Sequence, residues 1–211
     1  MTLTKFGHCC MLIEEQGLRI LTDPGNYTTA QNEVKNIDVV LITHEHADHL
    51  HIESLKEVLA NNPQAKVITN RGVGAILDKE GIPYTVVDDG KRTTEKGVLI
   101  EGLGKDHAEI YKTWKTVENT SYFIGPRLFY PGDAFYNPHR AVEILALPVA
   151  GPWCKISECV DYGLLVKPKK CFPVHDGNLN VYGTYHRIPA TVLAENGIEF
   201  FVPELGKALE L

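Results

Sequence analysis

A short β-branched run, Asp38 to Thr43 (DVVLIT), leads directly into His44-Glu45-His46-Ala47-Asp48-His49. This junction constrains the chain more than any other segment. The run has the character of a buried strand. The residues that follow, His49 to Ala60, carry apolar side chains at Leu50, Ile52, Leu55, Val58 and Leu59, a helical spacing that Asn61-Asn62-Pro63 brings to an end. The three histidines and the aspartate are therefore expected at a strand end. His44 and His46 would share a face of an extended backbone, while Asp48 and His49 fall at the helix start and can aim at a neighbouring position. Such a set can serve two adjacent metal ions. Imidazole and carboxylate ligands suit Zn²⁺, Mn²⁺ or Fe²⁺.

Other strand-like runs end in the same way. Arg19 to Thr22 stops at Asp23, Val98 to Leu103 leads to Asp106-His107, Arg127 to Tyr130 stops at Pro131-Gly132-Asp133, and Cys171 to Val174 stops at His175. If these strands share an edge, their terminal groups converge there, where α/β proteins place their sites. Gly132 allows a sharp backbone turn before Asp133. Further strands are expected at Lys5–Glu14 and Leu18–Thr22 (a hairpin turning at Gln16-Gly17), Ala65–Thr69, Tyr84–Val87, Thr120–Ile124, Ile144–Val149 and Ile198–Val202. Helices are expected at Val73–Lys79, Cys159–Val166 and Ala190–Glu195. Hairpins mixed with strand–helix units indicate α/β or α+β architecture with mixed sheets, since an opening hairpin argues against a purely parallel doubly wound sheet.

The 211 residues form one domain, 1–211, with globular composition. The net charge of -6 argues against nucleic acid or an anionic membrane as partner. No apolar run is long enough for a membrane span, and Cys9 to Ile13 is too brief for a signal-peptide core, so a cytoplasmic location is expected. The five cysteines, Cys9, Cys10, Cys154, Cys159 and Cys171, contain no C-x-x-C pair and read as reduced thiols. Cys154, in a Gly-Pro-Trp-Cys loop, is the one placed near a site. A homo-oligomer is compatible with the chain.

The order Asp23, THEHADH at 43–49, His107, Asp133 and His175 resembles the five motifs of the metallo-β-lactamase superfamily. The opening Lys5-Phe6-Gly7-His8-Cys9, the Leu147-Pro148-Val149-Ala150-Gly151-Pro152 turn and Pro173-Val174-His175 are similar to its ascorbate-6-phosphate lactonase-like branch, and N-acylphosphatidylethanolamine phospholipase D opens in a similar way. The usual residues after the last histidine are replaced by Asp176-Gly177-Asn178. The resemblance implies an α+β fold, an αββα sandwich of two similar halves with metals at one edge. It implies that His44, His46 and His107 bind a first metal, that Asp48, His49 and His175 bind a second, that Asp133 bridges them, and that Asp23 orients the ligand loop from behind. Branches with cysteine at position 133, a carboxylate at position 46, a large insertion between Asp133 and His175, or a helical extension after His175 do not match.

The expected activity is a binuclear metal-dependent hydrolase of lactonase or phosphodiesterase type, with two zinc or manganese ions or, alternatively, iron. A metal-bound hydroxide would cleave an ester, lactone or phosphodiester, Asp48 would orient it or shuttle its proton, and His8 would act at the pocket. Two divalent ions are only half neutralised by Asp48 and Asp133, which favours a small anionic substrate. Trp153 and Lys155, with Trp114 and Lys115 as further candidates, would wall or anchor it. His51, His139 and His186 read as ordinary surface residues. The alternatives are a non-catalytic metal-binding or sensor domain and a phospholipase D-like phosphodiesterase.

Overall fold

The computed structural model describes residues 1–211. The N-terminal half begins with three antiparallel strands, β1 (Thr2–Gly7), β2 (Cys10–Glu15) and β3 (Leu18–Thr22). Parallel strands β4 (Val39–Leu41), β5 (Lys66–Thr69) and β6 (Tyr84–Val86) follow, with helices α1 (Ile52–Asn61) and α2 (Arg71–Glu80) as the crossovers after β4 and β5. The C-terminal half repeats the scheme. β7 (Arg92–Glu95), β8 (Val98–Leu103), β9 (Ser121–Ile124) and β10 (Leu128–Tyr130) run antiparallel, and β11 (Ile144–Pro148), β12 (Lys170–Val174) and β13 (Glu199–Phe200) continue in parallel, with α3 (Ile156–Val166) and α4 (Gly183–Glu195) between them. β14 (Ala208–Glu210) then returns to pair with β1. The sheet orders are β14-β1-β2-β3-β4-β5-β6 and β7-β8-β9-β10-β11-β12-β13. Each therefore has three antiparallel joins followed by three parallel ones. The expected four-layer sandwich of two similar halves is present.

Strand periodicity builds the layers. In β4, Val39 and Leu41 point into the core between the sheets, where they meet Ile13, Ile20, Tyr122, Ile144 and Phe172, while Val40 points the other way, toward Leu55 and Val58 of α1 and Leu77 of α2. The second sheet does the same, with Ile144 and Ala146 facing inward and Leu145 and Leu147 facing Val160, Tyr162 and Leu193 of α3 and α4. Three apolar layers thus alternate with two sheets, and the sheets' parallel halves carry the helices.

The boundaries depart from the sequence reading for local reasons. His49 does not start α1. A turn donating from His49 N–H and Leu50 N–H to the His46 carbonyl intervenes, and His51 is the N-cap, its Nδ1 accepting from Ser54 N–H. α2 starts at Arg71 because the Asn70 side chain caps Val73 N–H. α3 starts at Ile156 rather than Cys159, and β13 is shorter than expected. α4 starts at Gly183 rather than Ala190 and runs through Pro189. β7 and β14 are polar or exposed strands that hydrophobic patterning does not mark.

Leu77 is fully buried between α2 and the first sheet. Leu77→Ala is expected to lower the unfolding free energy by about 2–5 kcal/mol, read from urea denaturation, and to leave metal content unchanged because the substitution lies in the outer layer.

Candidate metal centre

Strand ends deliver the site. Asp23 follows β3, residues 44–49 follow β4, His107 lies beyond β8, Asp133 beyond β10 and His175 directly after β12. The two sheets meet along this edge, so residues from both halves face one another. The backbone is left-handed at Asp23, at His175 and at His8 between β1 and β2, with φ of 36°, 61° and 50°. Strained non-glycine residues of this kind persist where surrounding contacts over-determine them. Gly132 is required by space as well as by its φ of 62°, because a Cβ there would lie 2.4 Å from Asn119 Oδ1. The ligand loop is clamped to the segment after β3. Asn26 N–H donates to the Ala47 carbonyl and His51 N–H to the Pro24 carbonyl, and a Cβ on Gly25 would lie 1.8 Å from the Asp48 carbonyl oxygen.

All seven ligands expected from the sequence come together. His44, His46, His107 and Asp133 form one group whose candidate donor atoms lie within 4.8 Å of one another, and Asp48, His49 and His175 form a second together with His8. Asp133 stands between them. Its Oδ2 is 2.9 Å from His175 Nε2 and 3.4 Å from His107 Nε2, and its Oδ1 is 3.1 Å from His49 Nε2.

Hydrogen bonds outside the cluster orient the rings. His49 Nδ1–H donates to Asp23 Oδ2 at 2.7 Å, and His107 Nδ1–H to the Ala108 carbonyl at 2.6 Å. Thr43 Oγ1 donates to Asp23 Oδ2 at 2.7 Å and so receives His44 Nδ1–H at 3.0 Å. Each ring thereby turns its Nε2 inward, that of His44 lying 3.1 Å from His46 Nδ1. His49 Nε2, His107 Nε2, His175 Nε2 and Asp133 Oδ1 are buried without a hydrogen-bond partner. Convergent buried lone pairs on nitrogen and carboxylate oxygen are the donor set of a divalent transition-metal ion, and the residues fit that group.

Electrostatics agrees. Burial, with the neighbouring imidazoles His49, His107 and His46, holds His44 well below the ordinary histidine value, against the pull of Asp133. Burial and His107 lower His46. Burial lowers His8 to about 4, helped by His175 and His49 and opposed by the Asp48 hydrogen bond. His49 runs the other way, because Asp133, Cys9 and Asp23 outweigh its burial. Burial would raise both carboxylates, but His175, His49 and His44 hold Asp133 well below its ordinary range, and His8, His49 and His175 do the same for Asp48.

Other expected residues fall differently. Asp23 is fully buried behind the ligand loop, as anticipated, and also receives the Tyr130 hydroxyl from the second sheet. Trp153 is 6 % exposed and lines the site, but its indole N–H is committed to Asp133 Oδ2 at 2.8 Å, which makes it a ligand-orienting group as well as a wall. Lys155 is not an anchor at the metals. It is the exposed N-cap residue of α3 and lines neither cavity here, because α3 starts there and carries it outward. Lys115 and Trp114 are also exposed and outside the lining. Cys154 is half-buried beside Trp153, and all five cysteines are free. His51 and His139 stay peripheral, but His186 is not an ordinary surface residue, since it binds the buried Asp176 Oδ2 at 3.0 Å. Sequence reasoning also missed Tyr130, Asn119, which accepts from Asp133 N–H, and the Lys5–Asp176 ion pair at 2.6 Å.

A cavity of about 220 Å³ opens onto His46, Asp48, Asp133 and His175, with Tyr27 and Ile110 at its side. A larger groove of about 710 Å³ adjoins it past His107 and Trp153 and carries Asp89, Asp106, Glu109 and Glu158 against Lys105 alone.

The histidine environment fixes a pH dependence for the metal-free protein. The folded-state values of His8, His44 and His46 lie below 6.5, so beneath that pH the unfolded chain binds more protons and stability falls as pH drops. His49 is protonated in both states there and adds no slope, and the carboxylates enter only near 3.8. The urea midpoint should decline steadily between about pH 6 and pH 4.5; a rising midpoint would contradict these environments.

Residues 2–175 match the family described as beta-lactamase superfamily domain. Protein Rv0786c of Mycobacterium tuberculosis is 37% identical, over 83% of this chain and 84% of its own. A UPF0173 metal-dependent hydrolase of Aeropyrum pernix is 37% identical, over 86% of this chain and 85% of its own. Among solved structures, Igni18, a metallo hydrolase from Ignicoccus hospitalis, has the same fold with a TM-score of 0.77 at 20% identity, covering 100% of this chain and 98% of its own. With the five motifs gathered at one sheet edge and a family match over most of its length, this chain belongs to the metallo-β-lactamase superfamily as a metal-dependent hydrolase.

Proposed function

We propose that residues 1–211 form a binuclear hydrolase that cleaves an ester, lactone or phosphodiester bond. The observation that supports this most is the pair of candidate donor sets that meet at Asp133, His44, His46 and His107 on one side and Asp48, His49 and His175 on the other. The Nε2 atoms of His49, His107 and His175 are buried there with no hydrogen-bond partner. His44, His46 and His107 would hold one ion, Asp48, His49 and His175 the other, and Asp133 both. Zinc and manganese suit this N/O set, and iron is accepted by the same donors. Such ions would supply acidification of a water and polarisation of the scissile carbonyl or phosphoryl oxygen.

The chain's own residues supply the rest. Asp48 lines the cavity, remains ionised and orients the attacking water by accepting its proton in a hydrogen bond. Trp153 and Asp23 hold Asp133 and His49 in place. Two divalent ions outweigh the two ligand carboxylates, which favours an anionic reacting group. No lysine or arginine lines the inner cavity, so the substrate's negative charge belongs at the reacting group itself. The adjoining groove, with its four carboxylates, suits a neutral, hydroxyl-rich or cationic remainder.

One observation favours the phospholipase D-like alternative. Tyr27, 49 % exposed, lines the inner cavity together with Ala47, Ile110, Pro152 and Trp153. An apolar rim of this kind accommodates acyl chains.

Elemental analysis of the reconstituted protein is expected to find two ions per chain, and a chelator should remove both ions and turnover. On the substrate that a panel of lactones, esters and phosphodiesters identifies, Asp48→Asn should lower kcat by roughly 100-fold or more. Full turnover after chelation, or two bound ions with no turnover on any member, would overturn the hydrolase reading. Preference for long-chain over short-chain phosphodiesters would select the lipid substrate.

A further inference from the structure

His8 stands in the second donor group by position, although the motif pattern does not count it among the ligands. We propose that His8 is a positioning residue and not a ligand: the Gly177 amide fixes its ring so that Nε2–H is donated to Asp48, holding that carboxylate beside the metal-binding cluster. The proposal rests on the reading of the cluster as a metal centre.

The hydrogen bonds of His8 have the opposite polarity to those of the ligand rings. In His44, His49 and His107 the outer nitrogen, Nδ1, donates, and Nε2 faces the cluster. In His8 the outer nitrogen, Nδ1, accepts from Gly177 N–H at 3.1 Å. A neutral imidazole with its lone pair on Nδ1 carries its proton on Nε2. That atom lies 3.0 Å from Asp48 Oδ2. A metal ion needs the lone pair that this tautomer does not offer at Nε2. The same Asp48 oxygen is 3.5 Å from His175 Nε2 and 3.9 Å from His49 Nε2, so the His8 donor sets where that oxygen sits within the cluster.

The brace behind His8 is built for this contact. The ring is almost fully buried and packed between Tyr27 and His175, at centroid distances of 4.6 and 4.2 Å. A Cβ on Gly177 would lie 2.8 Å from His8 Cβ and 3.1 Å from Nδ1, so only glycine brings the amide this close. Gly177 is fixed in turn by its neighbour Asp176, whose carboxylate binds Lys5 Nζ of β1 at 2.6 Å and His186 Nε2 of α4 at 3.0 Å. Lys5 Nζ also donates to the Pro173 carbonyl at 2.8 Å. Lys5 and Asp176 are 2 % and 4 % exposed, so the anchor is screened from solvent. The residues that depart from the branch pattern after His175 thereby acquire a role: Asp176 anchors the turn and Gly177 presents the donor.

The test compares wild type with His8→Phe, His8→Gln and Gly177→Ala. Long-range ¹H–¹⁵N correlation of the wild-type ring should show a protonated Nε2 both without metal and with zinc. All variants should keep the wild-type metal stoichiometry. His8→Phe should lower kcat roughly 10- to 100-fold with KM little changed, the effect of removing a hydrogen bond to a charged group. His8→Gln, which retains an N–H donor, should recover part of the loss, and Gly177→Ala should reproduce it. Loss of one metal equivalent in both His8 variants, or loss of the Nε2 proton on zinc addition, would make His8 a ligand and overturn the proposal. Unchanged kcat in a folded His8→Phe would overturn it as well. Wild-type protein without turnover would instead count against the hydrolase reading, while the tautomer and stoichiometry results would still decide the role of His8.

Discussion

The carboxylate of Asp23 is fully buried and receives four donors: Thr43 N–H, Thr43 Oγ1–H, His49 Nδ1–H and the Tyr130 hydroxyl. Three belong to the ligand loop of the first sheet and the fourth to β10 of the second. A buried charge of this kind is tolerated only when its lone pairs are satisfied, so the arrangement has one good solution, in which the sheet edges are locked in register. His44 reaches the same carboxylate through Thr43. The orientation of two inward rings and the approach of the two halves therefore rest on one side chain, which touches no substrate.

Around that lock the two halves solve one packing problem twice. Each has a run of antiparallel strands that closes the inner core and a parallel run that carries helices on its outer face. Parallel strands end together on one side, which is why the candidate ligands that follow β4, β10 and β12 arrive at the same edge. Neither half holds a complete donor group by itself. His44 and His46 from the first half meet His107 and Asp133 from the second, and Asp48 and His49 meet His175. The strain at Asp23, His8 and His175 accumulates at this seam because both halves dictate the backbone there.

What the sequence revealed was local. Each metal-binding candidate sits at the end of an apolar run, and the spacing within residues 44–49 is itself a sequence property. The sandwich followed from resemblance, and alternation within strands such as Val39-Val40-Leu41 accounts for its layers. What stayed hidden depends on partners far along the chain or on weak local signals. Lys5 and Asp176 are 171 positions apart. His186 carries no motif and acquires meaning only when α4 brings it to Asp176. Trp153 looked like a wall because its bond to Asp133 requires the turn after β11. The first turns of α4, Gly183 to Pro189, carry few apolar residues and a proline, so local pattern places the helix only from Ala190. β7 and β14 carry too few apolar side chains to be marked by patterning; β7 pairs with β8 and β14 with β1.

The closure of the first sheet by β14 has a consequence for the order in which the molecule assembles. Thr2 pairs with Glu210 and Thr4 with Ala208, Leu211 N–H donates to the Met1 carbonyl, and Arg127 of the second half donates to the Leu211 carbonyl. During synthesis, β1 therefore presents an unpaired edge until the entire second half has emerged. An N-terminal half that has otherwise formed its six strands is left for that interval with an open flank able to pair with another nascent chain. Protection of that edge therefore waits on a three-residue strand that carries none of the candidate metal-binding residues.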